Sequence, residues 1–311
     1  MSSIKETLFQ YAQGLIDKAA FIQAMYENHH AALFDYAGYL SQTNIKKIEI
    51  EDQRVIMTSR DRGIQMECTP GDFRIAPIEI LNFFDYEKDE SAMMENLVSD
   101  GDSFFDIGAN IGWYSINMAM ARRAARVYCF EPVLKTYGFL QKNLELNRVT
   151  NVTAHNFGFS NQEGEVVFYT YPEGSSNASS ANLTGRSDVE TQQCRLRTLD
   201  DYVCEKNLHV DFIKCDVEGA ELMVFQGGIK SIERDLPIVF SEILRKWSAR
   251  FNYNPNEIFR FFRGFGYRAF TVKGKFLSGF GDMDDSTSET NFFFLHQDRH
   301  EDIICRYAGG D

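Results

Sequence analysis

No run of about 18 apolar residues occurs in the chain, and a bilayer-spanning helix needs one, so no membrane span is expected. The opening Met1-Ser2-Ser3-Ile4-Lys5-Glu6-Thr7 is polar and lacks the apolar stretch of a secretory leader. No two of the six cysteines stand at CxxC spacing, so the usual zinc and redox signatures are missing. Cys129 and Cys215 lie inside apolar strand patterns and read as small core residues. A reduced, cytoplasmic setting fits, and the sequons at Asn151, Asn177 and Asn182 are then chance matches. Basic charge is also in deficit. The 32 Lys and Arg face 45 Asp and Glu, a net charge of −13, with no basic stripe. Phosphate backbones and anionic membrane surfaces call for such a stripe, so neither nucleic acid nor membrane is an expected partner.

What is present is a globular composition. With 44% hydrophobic residues over 311 positions, the chain can form one large α/β domain, or a core of roughly 200 residues with an added part. Over residues 4–40 the apolar side chains Leu8, Tyr11, Leu15, Phe21, Ile22, Met25, Leu33, Phe34, Tyr36 and Leu40 recur at helical spacing. That spacing predicts two helices with a core-facing or dimer-facing stripe. His29-His30 is a poor metal pair, since adjacent helical residues do not share a face. Residues 45–68 read as short strands separated by polar turns, closed by Pro70-Gly71-Asp72 and Pro77. Helical pattern returns over 79–84 and 91–98. Residues 1–90 are thus expected as a helical and β-hairpin extension, a cap or an assembly region compatible with a homodimer.

From Asp102 the chain alternates strand and helix. Strands are expected over 104–107, 126–130, 152–157, 164–169, 210–215, 238–240, 267–272 and 291–295. The order predicts an α/β fold over residues 91–311: a doubly wound, mostly parallel Rossmann-like sheet ending in a late antiparallel pair. Residues 174–182 are Ser- and Asn-rich and are expected as a polar loop, either free at the surface or facing a substrate.

The stretch that organises this part is Phe104-Phe105-Asp106-Ile107-Gly108-Ala109-Asn110-Ile111-Gly112-Trp113. It reads as strand, glycine loop and helix start. A dinucleotide loop would be G-x-G-x-x-G, and here Asn110 stands where its second glycine belongs. An aspartate at the strand end suits a ligand with an ammonium and a sulfonium, and suits a pyrophosphate badly. The pattern resembles the first motif of S-adenosyl-L-methionine (SAM)-dependent methyltransferases. Ligands of such sheets lie at the carboxyl ends of the strands, which here are Asp106, Glu131, Gly158 with Phe159, Asp216 and Glu242. Glu131 follows Gly112 by 19 positions, the placement of a carboxylate that accepts from ribose hydroxyls.

With Phe130-Glu131-Pro132, Ser160 and Gly164-Glu165-Val166, Thr198-Leu199-Asp200, and Lys214-Cys215-Asp216-Val217-Glu218-Gly219-Ala220-Glu221, the chain resembles the FkbM family of SAM-dependent methyltransferases over residues 85–245. The resemblance implies O-methyl transfer to a hydroxyl, often of a sugar or a secondary metabolite. SAM is then expected against Asp106, Gly108, Ala109, Asn110, Gly112, Glu131, Pro132, Gly158, Phe159 and Asp216.

Methylating a hydroxyl requires alignment of oxygen, carbon and sulfur and removal of a proton. Asp216 or Glu242 is the expected base, with Lys214 as a neutralising partner. A Mg²⁺ held by Asp216 and Glu242 is the alternative, weakened because Ser241 and Ile243 leave Glu242 without an acidic neighbour. Glu218 is read as a cap on the turn at Gly219. His155 is a further candidate base, whereas His209 begins its strand at the wrong end. Trp113, Tyr114 and Trp247 offer faces for a saccharide or glycan acceptor. Competing classes are a nicotinamide-dependent oxidoreductase and a non-catalytic SAM-binding protein.

Overall fold

Strand Ser103–Ile107 is buried at every position, as befits a central strand covered on both faces. Everything else is placed relative to it. The computed structural model describes residues 2–171, 174–182, 185 and 189–308. In chain order the elements begin with helices α1 (Ile4–Ala12), α2 (Lys18–Met25) and α3 (Ala31–Tyr39). Strands β1 (Ile45–Glu51), β2 (Arg54–Ser59) and β3 (Gln65–Glu67) follow, then α4 (Ala76–Phe83) and α5 (Lys88–Leu97). The alternating part runs β4 (Ser103–Ile107), α6 (Trp113–Ala121), β5 (Arg126–Phe130), α7 (Leu134–Asn147) and β6 (Val152–His155). Next come β7 (Gly158–Phe159), β8 (Gly164–Tyr171), β9 (Gly174–Ser179), β10 (Glu190–Arg197), α8 (Leu199–Lys206) and β11 (Phe212–Cys215). The chain continues through α9 (Glu221–Gln226), α10 (Ile229–Asp235), β12 (Ile238–Glu242), α11 (Arg245–Ser248) and α12 (Asn256–Gly264). It ends with β13 (Tyr267–Lys273), β14 (Phe276–Phe280), β15 (Asn291–His296) and α13 (Glu301–Tyr307).

Eight strands form the main sheet in the order β14-β13-β15-β12-β11-β4-β5-β6. Strands β6, β5, β4, β11 and β12 are parallel. The chain winds outward from β4 through β5 to β6, then restarts at β11 on the other side of β4. That reversal makes a switch point at the carboxyl ends of β4 and β11, where ligands of such sheets bind. The doubly wound Rossmann-like expectation is met, and β15 inserts antiparallel between β12 and β13. One face of the sheet packs through Phe105, Phe130, Ile213, Phe225, Phe259 and Phe292.

Three expectations change. Residues 174–179 are not loop but the edge strand β9 of a second sheet, ordered β7-β10-β8-β9. Here β10 is a partner that the sequence concealed, because only Cys194 and Leu196 of its eight residues are buried. The third parallel strand stops at His155, and the chain leaves the main sheet there. Asn156 marks the exit, donating from its side chain to Glu131 O at 2.9 Å and Pro132 O at 3.1 Å. The expected final pair, β13 and β15, gains a third strand, β14, which hairpins onto β13.

Residues 4–39 form the two helices expected, α1 and a second in which a π-helical turn at Tyr26–His30 joins α2 to α3, and much of their apolar surface faces outward: Phe9 is 60% exposed and Leu15 and Phe34 each 69%. Ser3 and Asp17 cap the two by accepting from Glu6 N and Ala20 N. The three-stranded sheet instead docks on α7. Asn143 Oδ1 accepts from Glu67 N at 2.7 Å, and Asn147 exchanges two hydrogen bonds with the Gln65 backbone. Ile45, Ile64, Met66, Ile80, Met93 and Leu97 join Phe104, Ile116 and Phe240 in one core. Residues 45–98 are thereby packed on the face of the main sheet opposite the Phe-rich one.

Candidate functional site

The loop after β4 is built by backbone demand. Gly108 has φ +77°, and a Cβ there would lie 1.8 Å from Asp216 O. No residue but glycine lets β4 and β11 come this close. Gly112, at φ +95°, opens α6, and a Cβ on it would meet Leu140 Cδ1 at 2.5 Å. Its role is to seat α6 against α7. The loop amides are already used: Gly108 N and Ala109 N donate to Phe130 O at 3.1 and 3.0 Å, and Asn110 N donates to Glu131 Oε2 at 3.1 Å. A pyrophosphate would need such amides free.

Asp106 lines no cavity. It is fully buried, its Oδ2 accepts from Ser115 Oγ at 2.6 Å, and its Oδ1 lies 3.2 Å from Lys214 Nζ. Asp106 is thus held by Ser115 and Lys214. Lys214 is 2% exposed. Its ammonium donates to Gly108 O at 2.8 Å and stands 3.7 Å from Asp216 Oδ2. Burial alone would lower its pKa, but Asp106 and Asp216 outweigh that and raise it. Lys214 thus ties together the loop, β4 and the Asp216 carboxylate.

Two cavities meet over this loop. The first is lined by Gly108, Asn110, Glu131, Pro132, Gly158, Phe159, Ser160, Asp216, Glu218, Met223 and Phe251. Ala178 and Ser180, at and after the end of β9, reach the same space. Glu131 is 6% exposed. Burial pushes its carboxyl up to about 7, although Val133 N at 2.9 Å and Asn110 N at 3.1 Å donate to it.

The second cavity shares Gly108, Asn110, Asp216 and Glu218 with the first, then extends past Ala109, Trp113, Tyr114, Lys214, Glu242 and Trp247 to Tyr86 and Glu87. The three aromatic candidates therefore stand in one wall. Lys246 Nζ covers the Trp247 ring at 4.3 Å. Glu242 and Asp216 line the same cavity, and burial followed by repulsion from Asp216 raises the Glu242 pKa well above the carboxylate range. Two carboxyls that repel each other across one cavity favour a state with one proton between them, an acid beside a base.

Glu87 went unassigned in the sequence. It sits at φ +40°, a strained setting for a non-glycine residue. Its carboxylate accepts from Tyr114 Oη and, at 3.0 Å, from Asn291 Nδ2. Burial pushes it up to about 7. No local signal marks it, because Asn291 lies 204 positions away.

Glu218 does not cap the turn as expected. Glu221 does: its Oε1 accepts from Gly219 N at 2.9 Å and Val217 N at 3.2 Å. Glu218, at φ +55°, is left facing both cavities with its Oε2 buried and unpartnered.

Residues 106–269, just over half of the 311, match the family described as Methyltransferase FkbM domain. The chain belongs to the FkbM methyltransferase family. It is 30% identical over 145 residues to Methyltransferase 1 of Beauveria bassiana, a match covering 40% of this chain and 58% of that protein. It is 31% identical over 157 residues to the AMB antimetabolite synthetase AmbE of Pseudomonas aeruginosa, covering 39% of this chain and 7% of that protein. Each match thus spans less than two thirds of the relative's own length. Among solved structures, a methyltransferase FkbM from Methylobacillus flagellatus KT aligns at 18% identity and TM-score 0.43, covering 64% of this chain and 44% of that one.

Within the FkbM domain, His155 is bonded to Tyr202 Oη at 2.8 Å and stacked on Phe130, away from both cavities. His209 pairs with Asp235 and Asp211 at the far end of β11. Neither histidine faces the switch point. Among the described residues no group of three or more His, Cys, Asp or Glu side chains has an arrangement for a metal ion, His29-His30 included.

Proposed function

We propose that this protein is a SAM-dependent O-methyltransferase acting on a hydroxyl of a small acceptor of the saccharide or glycan class. The observation that carries the reading is the junction of two cavities over Gly108, Asn110, Asp216 and Glu218. A donor in one and an acceptor in the other would meet there. The residues of the first cavity fit SAM: Glu131 to accept from ribose hydroxyls, Pro132, Gly158 and Phe159 as an apolar seat for a base, and Gly108 and Asn110 beneath the chain leading to the sulfur.

Bound there, SAM supplies a methyl group already activated by its sulfonium. The chain's own residues orient the acceptor and take its proton. The Asp216–Glu242 pair is the base: its ionised member would take the proton that the acceptor hydroxyl gives up. Lys214 holds Asp216 toward the junction and keeps the Gly108 carbonyl fixed, a positioning role. The spent loop amides count against a nicotinamide dinucleotide.

Among the described residues no helix is long and apolar enough to cross a membrane. A cytoplasmic setting and a homodimer joined through the outward apolar face of α1–α3 complete the proposal, with residues 1–90 as cap and assembly region. Calorimetric titration with SAM, S-adenosylhomocysteine (SAH) and NAD tests the core of it. Binding of the first two and not the third is expected. Binding of NAD alone would overturn the assignment. Methyl incorporation into a panel of sugars and glycans then tests the acceptor class.

A further inference from the structure

The second cavity holds more carboxyl groups than a neutral acceptor requires. Resting on the assignment of that cavity to the acceptor, we propose that the acceptor bears a protonated amine, as in an amino sugar, received between Glu87 and Glu242. Six carboxylates line the cavity against three cations. Each cation is already engaged. Arg74 holds Glu79 at 2.9 Å, Lys214 serves Asp106 and Asp216, and Lys246 lies over Trp247. Asp85 faces Lys88 and Asn44. Among the described residues Glu87, Glu218 and Glu242 form no ion pair at close range, and carboxylates out of water without one are costly.

Two further observations point to a ligand rather than to a solvated acidic patch. Glu218 Oε2 is shielded from solvent and has no hydrogen-bond partner. Trp113, 7% exposed, has an equally unpartnered Nε1–H in the same wall. The wall thus offers acceptors for an ammonium and an unused donor for an oxygen, the pairing an amino alcohol satisfies. SAM's own ammonium does not account for the charge. Asp216 and Glu218 border the first cavity and can serve it, but Glu87 and Glu242 line only the second. A metal does not account for it either, given the donor arrangement described above. Burial and neighbouring carboxylates raise Glu87 and Glu242 together, and a cation between them relieves both. Glu87 lies outside the matched family region of residues 106–269, so the amine preference would belong to this chain's own N-terminal segment.

The test uses the full chain saturated with SAH near neutral pH, titrated with matched pairs: glucosamine against glucose, and galactosamine against galactose. Each amine is expected to bind at least about tenfold more tightly than its neutral twin, the worth of one charge-assisted hydrogen bond. Glu87→Gln keeps the shape and should bring that ratio near unity with SAH affinity unchanged. If Glu87→Gln also loses SAH, Glu242→Gln reads the same ratio. Equal or weaker binding of the amines, including no binding by either twin, would overturn the proposal, as would a ratio that survives both substitutions. Failure of the wild type to bind SAH is the separate result that defeats the methyltransferase reading itself.

Discussion

The affinity for SAH should rise with pH across neutrality, and Glu131 is the reason. Its carboxyl is buried at the end of β5, and burial pushes its pKa up to about 7 despite two backbone donors. Ribose hydroxyls donate to the ionised carboxylate, so the ligand binds the deprotonated form. With the pKa raised in the free protein, binding must expel a proton below that pKa and need not above it. One unit below the pKa about a tenth of the molecules are ionised, and one unit above about nine tenths. SAH should therefore bind about tenfold more tightly near pH 8 than near pH 6, a change of about 1.4 kcal/mol. Calorimetry in buffers of different ionisation enthalpy reads both the affinity and the proton released. Glu218 also faces the first cavity, so the control is Glu131→Gln, which should weaken binding by about a hundredfold and flatten its pH dependence. A wild-type affinity constant over that range, or a slope retained in the variant, would refute the role given to Glu131.

The other consequences can be tested together. Gly108→Ala would drive a Cβ into Asp216 O at 1.8 Å in a left-handed backbone. A loss of several kcal/mol is expected, and a melting temperature within about 1 °C of wild type would contradict the close approach of β4 and β11. Lys214→Met strips the buried Asp106 carboxylate of its only cation partner among the described residues. It should cost about 3–5 kcal/mol in urea unfolding, while a change under about 1 kcal/mol would show that Asp106 tolerates solitude. Asp216→Asn and Glu242→Gln should each lower kcat about a hundredfold or more, a larger loss than either causes in SAH affinity. Full turnover in both would remove the base from this pair.

The parts of the fold legible in the sequence are those whose rules act locally. The run Phe104 to Ile107 is apolar because β4 is covered on both faces, and Gly108 is glycine because a neighbouring strand passes 1.8 Å from where a Cβ would sit. Strand ends could be read in order, and the doubly wound rule then brought Glu131, Asp216 and Glu242 to one edge without knowledge of a single contact. Strand β10 escaped because its first four residues, Glu190 to Gln193, are polar and none is buried, which leaves too short an alternation to show. The segment 174–179 escaped because its partner, β8, supplies the hydrogen bonds that its small polar side chains do not advertise.

The acceptor wall was illegible for a different reason. Glu87 follows α4 and meets Tyr114 of α6 and Asn291 of β15 only after the whole sheet has formed. Its strained φ of +40° is tolerated because the carboxylate is held from both sides. Motif spacing records what one strand–loop–helix needs. On the function proposed above, the acceptor wall adds to that unit side chains from other segments, among them Glu87, which lies outside residues 106–269. It follows that relatives sharing the loop after β4 can differ in acceptor without changing any residue of the loop. Exchanging residues 84–88 for those of a relative should then move acceptor preference while leaving SAH affinity in place. Loss of SAH binding along with acceptor preference would mean that the two cavities are not separable.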